Sequence, residues 1–328
     1  MRLITRADFD GLACAVILKD LGIIDTWKFV DHKDIQNSDM QITDRDVLAN
    51  VPYIEGCSLW FGHHSSEEER IGKGVVLEET VALSSITRIV YDYYGGKETM
   101  PYFEEMVAAV DKIDSGLLTK EDIVEPAGWI LLGFIMDSHT GLGCFDDFTM
   151  SNKVLMDELI ENCHTLPIED VLTLPNVQER VEKYGKHVES FKEMLLKHSH
   201  IDWEVIITDL RGVSPIYTGN RFLIYTLFPA QNISIWVTKD KNADSVLIAV
   251  GYSVLNRTAR ADVGSLMLKY GGRGHYRAGT CRVSCDRADQ ILAEIVKAIR
   301  EAYSRKNLPN EEMSNLLNQA DNLLVDMD

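Results

Sequence analysis

The chain opens "MRLITRADFDGLACAVILKDLG", and this stretch limits the fold more than any other. Arg2 to Thr5 reads as a short buried strand, and Leu12 to Gly22 as a helix that is apolar almost all round. A helix without a polar face cannot lie on a surface and has to be covered on every side. Short strand-like runs recur at 26–32, 46–52 and 57–64, followed by helix-like stretches at 81–94, 101–112 and 129–136. Strands alternating with helices predict a parallel α/β sheet. Ligands on such sheets sit beyond the carboxyl ends of the strands. Both "DFDG" and the pair His63–His64 fall at such ends.

The pattern then changes. Val177, Val181, Tyr184, Val188, Phe191 and Leu195 mark one face of a long helix over 177–200. Strand-like segments follow at 202–210, "ISIWVT" and "SVLIAVGYS", then a helix near "VGSLMLKY", a glycine-rich "YGGRGHYRAGT", and a helix whose apolar face carries Ala288, Ile291, Leu292, Ile295, Val296 and Ile299. At 328 residues the chain is long enough for two cores. The expected organisation is a parallel-sheet domain over 1–176, a linker helix over 177–200, a smaller α/β domain with a mixed sheet over 201–308, and an acidic tail over 309–328.

Charge narrows the partners. Against 33 Lys and Arg stand 51 Asp and Glu, a formal net charge of −18. Such a chain repels polyanions at long range, so duplex DNA is not an expected partner. The longest apolar run, "AGWILLGFIM", is too short to span a bilayer, and no signal-like segment opens the chain. The six cysteines form no C-x-x-C pair, which argues for reduced thiols and a cytoplasmic setting.

Four clusters could carry chemistry. In an extended loop Asp8 and Asp10 would point to one side and reach one cation; either could instead cap the helix that follows. His63 and His64 offer imidazole nitrogens suited to a transition metal, although neighbours on a strand face opposite ways, so one could ligate while the other meets substrate. Asp111 and Asp114 sit near the end of a predicted helix, where the dipole disfavours acids. Gly271, Gly272, Gly274 and Gly279, interleaved with Arg273, His275 and Arg277, read either as a phosphate cradle or as a plain surface turn.

In this order the four clusters resemble the DHH phosphoesterases, in particular the two-domain branch with a DHH-associated C-terminal domain and its exopolyphosphatase-related members. The resemblance runs from Asp8 to about Cys281. It implies metal ligation by Asp8, Asp10 and His63, with Asp114 or Asp111 as the acid of the fourth motif. Asp10, His63 and His64 would then be the catalytic set. Asn50 stands at the position of the second motif's aspartate, where its carbonyl oxygen would ligate the metal without bringing charge, with Asp46 a weaker candidate, and Ile4 replaces an early histidine. His64, Arg257, Gly272, Arg273, Gly274 and His275 would bind substrate, with Arg273 in place of a glycine. Gly62 takes the place of the first letter of the DHH triplet. That implies weakened support for the histidines, and an activity gain on Gly62→Asp.

The implied function is a manganese-dependent phosphohydrolase with two Mn(II) ions per chain, Mg(II) or Co(II) being compatible. It would act by water attack on a short oligonucleotide, a nucleotide bisphosphate or a polyphosphate. The implied partners are a small phosphorylated substrate or a short single-stranded oligonucleotide, with no membrane and with homodimerisation left open. The departures at Ile4, Asn50 and Gly62 leave an alternative, a catalytically weak phosphate-binding or regulatory protein on the same fold.

Overall fold

The structure is a computed structural model that describes residues 1–30, 41–62, 85–137, 140, 142, 145, 147–239 and 244–304. The chain divides into two compact units: Met1–His187 with Thr218–Asn220, and Val188–Tyr217 with the described residues from Arg221 onward.

Among the described residues, the first unit holds β1 (Arg2–Arg6), β2 (Thr26–Val30), β3 (Asp46–Ala49) and β4 (Leu59–Phe61), all paired parallel in the order β2-β1-β3-β4. β2 lies on one side of β1 and β3 on the other, so the direction of sheet growth reverses between β1 and β3. A crevice forms at the carboxyl ends of strands at such a switch point. The residues that follow these two strands include Asp8, Asp10 and Asn50.

α1 (Phe9–Asp20) buries every residue from Phe9 to Leu18. It is enclosed by β1 and by α2 (Ile86–Tyr93), α3 (Glu104–Asp114), α4 (Gly128–Met136) and α5 (Asn152–Thr165). Each large side chain withdrawn from water here, such as Leu12, Ile17 or Leu18, contributes roughly 1.5–3 kcal/mol. Gly11 belongs inside the first turn of α1 rather than in a loop. A Cβ there would stand 2.1 Å from the Arg6 carbonyl oxygen, so glycine lets the helix start tight against β1. α5 goes beyond the expected helices; the spacing of Leu155, Leu159 and Cys163 is its signal.

α6 (Pro175–His198) runs from the first unit into the second, its buried positions including Val177, Tyr184, Phe191 and Leu195. The last two residues of the expected linker helix are instead the start of β5 (Ser199–Asp202). The second unit is a mixed six-stranded sheet in the order β5-β6-β7-β8-β10-β9, with β6 (Val205–Asp209), β7 (Ile233–Lys239), β8 (Ser245–Tyr252), β9 (Arg273–His275) and β10 (Ala278–Ser284). Its core joins Ile235, Val237, Ile248 and Val250 of the sheet to Val263 and Met267 of α7 (Val263–Leu268) and to Ile291, Ile295 and Ile299 of α8 (Ala288–Ser304). Among the described residues no helix is long and apolar enough to cross a membrane.

Candidate active site

The first strand-to-helix junction does not leave Asp8 and Asp10 together on an extended loop. Asp8 is the N-cap of α1, its Oδ1 accepting from Gly11 N at 2.9 Å, while Asp10 already lies in the first helical turn. Asp8 therefore caps and also faces outward. Its Oδ1 accepts from Asn50 Nδ2 at 3.0 Å, and Arg6 Nε lies 3.3 Å from its Oδ2. Asn50 follows β3 with φ of +57°, a left-handed conformation that asparagine tolerates better than most residues. The Asn50–Asp8 hydrogen bond spans the switch point between β3 and β1.

Asp10 is buried, with 4% of its surface exposed. Oδ1 accepts from Thr87 N at 2.7 Å and from Thr87 Oγ1 at 2.6 Å, and Oδ2 accepts from Ile86 N at 3.2 Å. The N-terminus of α2 is thus aimed at this carboxylate, which favours negative charge there. Burial and then the charge of Asp8 nevertheless outweigh those bonds and push the Asp10 carboxyl up to about 6.

Asp114, at the end of α3, comes within hydrogen-bonding reach of Asp10. Crowding by surrounding protein, followed by the charges of Asp10 and Asp8, pushes the Asp114 carboxyl well up. Because the Asp114 residue is solvent-exposed, the two charges are the cause that weighs most. Asp111, one turn earlier, is engaged elsewhere. Its Oδ1 accepts from Ser85 N at 3.1 Å and Ser85 Oγ at 2.8 Å, and its Oδ2 accepts from Arg88 Nε at 2.8 Å. Asp46 sits at the opposite end of β3 from Asn50, bonded to Arg2 Nε at 2.6 Å, and takes no part in this cluster.

Carboxylates packed against one another need a proton or a cation between them. Hard oxygen donors suit a hard divalent ion such as Mn(II) or Mg(II). The described set fits such an ion in part. No group of three or more His, Cys, Asp or Glu side chains able to hold a metal forms among the described residues. His63 and His64, the expected nitrogen donors beyond β4, lie outside the described residues.

Gly62 is described, and it corrects the reading that its missing side chain is a loss. A Cβ at this position would stand 2.1 Å from Trp60 Cζ2 and 2.6 Å from Trp60 Cε2. The Trp60 indole is fully buried, donates from Nε1 to Val51 O at 2.9 Å, and packs in the cluster of Ile4, Val30, Leu48 and Val51. The ring occupies the space that a side chain at position 62 would need. Ile4, where many family members carry a histidine, belongs to the same apolar cluster.

In the second unit, Arg273 and His275 lie on β9, which forms a hairpin with β10 instead of an open loop. As residues i and i+2 of a strand they share a face, and both are exposed. A Cβ on Gly274 would stand 2.4 Å from Ala278 O, and one on Gly272 would stand 2.2 Å from Thr280 O. These glycines are needed for the hairpin to close, independently of any ligand. Arg257 Nε donates to Val254 O at 3.0 Å. Partial loss of water and then the charge of Arg277 lower the Arg257 guanidinium. The two guanidinium groups thus lie near one another in a chain of net charge −18.

Arg6, Thr87, Ser85 and Arg88, which touch the acids directly, were not among the residues expected from sequence. Ser85 before an apolar-periodic run was the available signal, as a helix N-cap.

A scan against protein-family models finds no match. A solved structure of the pGpG-specific phosphodiesterase PggH from Vibrio cholerae is 40% identical to this chain, with a TM-score of 0.80, covering 92% of this chain and 99% of that one. The exopolyphosphatase-related protein from Bacteroides fragilis is 11% identical, with a TM-score of 0.49, covering 90% and 91%. A curated A-adding tRNA nucleotidyltransferase from Aquifex aeolicus is 21% identical over 241 residues, which are 70% of this chain. The chain spans about a quarter of that protein's length, 27%.

Proposed function

Because this chain belongs to the DHH family of phosphoesterases and is a hydrolase of phosphoester bonds, we propose that its substrate is a linear dinucleotide of the pGpG type, cut by water at the internal phosphodiester. The observation that carries this reading is the 40% identity to a pGpG-specific phosphodiesterase along nearly the whole of both chains. In the reaction the oxygen of water bonds to phosphorus, the 3′ oxygen leaves and takes a proton, and pGpG with one water becomes two GMP.

On the family pattern we assign Asp8, Asp10 and Asp114 to the cation site, a donor set that the described residues leave incomplete, with Asn50 holding Asp8 from the next strand. Asp111 is left out of the ligand set because Ser85 and Arg88 occupy its oxygens. His63 is assigned as a further ligand and His64 as a phosphate contact, on the family pattern. A pair of manganese ions bound there would supply a water of lowered pKa and positive charge for the phosphoryl oxygens. The buried Asp10 keeps its orientation throughout, since three donors hold it. In the second unit Arg257, with Arg277 beside it, is assigned to grip a substrate phosphate, and Arg273 and His275 to contact it from one face of β9.

The test is to incubate the purified chain with pGpG, pApA, longer oligonucleotides and inorganic polyphosphate, with manganese or with a chelator, and to separate the products by anion exchange. The expected result is manganese-dependent conversion of pGpG to GMP, faster than turnover of any longer substrate. Intact pGpG alongside cleaved polyphosphate or cleaved longer oligonucleotides would replace the substrate assignment.

A further inference from the structure

Behind the cluster around Asp10 lies the layer that supplies the donors holding it. Thr87 is fully buried and turns both its backbone N–H and its hydroxyl to the same oxygen of Asp10. The hydroxyl has a single proton and three polar neighbours, Asp10 Oδ1 at 2.6 Å, the Asp10 carbonyl at 2.9 Å and Cys14 Sγ at 3.5 Å. The shorter contact has the length of a hydroxyl donating to an ionised carboxylate. With Ile86 N on Oδ2 at 3.2 Å, three of the roughly four acceptor positions of a carboxylate are filled. These donors leave one position, on Oδ2, and Asp114 lies within reach of the same carboxylate.

The segment that delivers these donors is itself clamped. Ser85 caps α2, accepting from Arg88 N at 3.0 Å, and Asp111 accepts from the N–H and hydroxyl of Ser85 and from Arg88 Nε. Asp111 lies one turn before Asp114 on α3. The helix that supplies Asp114 to the cluster therefore also fixes the cap that orients Asp10.

We propose that Thr87 is a positioning residue for the bound cation: it fixes the rotamer of Asp10 so that a single Oδ2 lone pair is presented to the metal, with Ser85, Arg88 and Asp111 holding Thr87 in place. This rests on the cation site assigned above. The role differs from a merely structural one. Apolar packing around Thr87 would be met equally well by valine, which has nearly the same shape and no hydroxyl.

The experiment measures Mn(II) affinity by titration calorimetry on the metal-free full chain, for wild type, Thr87→Val, Thr87→Ser and Asp111→Asn, with urea unfolding of each in parallel. Loss of an outer partner of a metal ligand typically weakens binding about 10- to 100-fold, and that is the expectation for Thr87→Val. Thr87→Ser restores affinity to within a few-fold of wild type. Asp111→Asn, which keeps one acceptor oxygen for Ser85 and loses the acceptor and the charge facing Arg88, weakens binding by a smaller factor in a folded chain and serves if Thr87→Val fails to fold. Equal affinity in wild type, Thr87→Val and Asp111→Asn would overturn the positioning role while leaving the phosphoesterase site standing. A wild-type chain that binds no divalent cation would overturn the site and the role together.

Discussion

At the scale of single residues, Gly62 and Trp60 show how a motif letter can be overruled by its neighbour two positions earlier. The triplet pattern reads Gly62 as a missing aspartate, and from the pattern alone its restoration should help. The indole of Trp60 lies where any Cβ would go, and it is pinned by a hydrogen bond to Val51 and by a closed apolar cluster. Forcing a side chain into a packed core costs about 1–3 kcal/mol. Gly62→Asp and Gly62→Ala are both expected to lose stability by this amount in urea unfolding and to lose activity; a gain of activity in Gly62→Asp with an unchanged unfolding midpoint would contradict the packing argument. The two aspartates of α3 make the same point. Asp111 and Asp114 are equivalent as letters, and only their partners separate them: Arg88 and Ser85 for one, Asp10 for the other.

At the scale of elements, strand register is held by a charge pair between half-exposed Arg2 and buried Asp46. Arg2 and Asp46 face each other across the β1–β3 pairing, with Arg2 Nη2 to Asp46 Oδ2 at 2.9 Å beside the Nε contact. Thr43 N and Thr43 Oγ1 add bonds to Oδ2 at 2.8 and 3.1 Å. Burial alone pushes the Asp46 carboxyl up, but the bonds from Arg2 and Thr43 together with the charge of Arg2 outweigh it and hold it below the ordinary carboxylate range. A group with a depressed folded-state pKa adds stability above its unfolded value, about 3.9 for Asp, and loses it as pH falls through the folded value. Asp46→Asn is therefore expected to lower stability at pH 7, with the gap to wild type closing as both are titrated below about pH 4. A constant gap across that range in urea unfolding would show that Asp46 acts through something other than its charge. The strands other than β5, β9 and β10, and the helices α1, α3, α4, α6 and α8, were legible from apolar runs and periodicity. The hairpin of β9 and β10 was not, because glycines that allow two backbones to touch look in sequence like glycines that free a loop.

At the scale of the whole molecule, the net charge of −18 opposes every phosphorylated substrate until it reaches a local cluster such as Arg257 with Arg277. Screening shortens the reach of that repulsion to about 10 Å at 0.1 M salt. Turnover of a dinucleotide is therefore expected to rise in kcat/KM as ionic strength is raised from low values, and turnover of a longer oligonucleotide to rise more steeply. A steady fall with salt for both would mean that local cations, not the overall field, govern encounter. The amino-acid sequence by itself determined the α/β class and the placing of acids after β1 and near the end of α3. Those follow from local periodicity and from the order of the segments along the chain. Tertiary structure alone decided that Asn50 bonds Asp8, that Thr87 and Ile86 grip Asp10, that Asp114 rather than Asp111 approaches it, and that Gly62 is required by Trp60. Each of these joins residues brought together by packing, and the energy of a hydrogen bond or a clash depends on distances of a few tenths of an ångström that no spacing in sequence encodes.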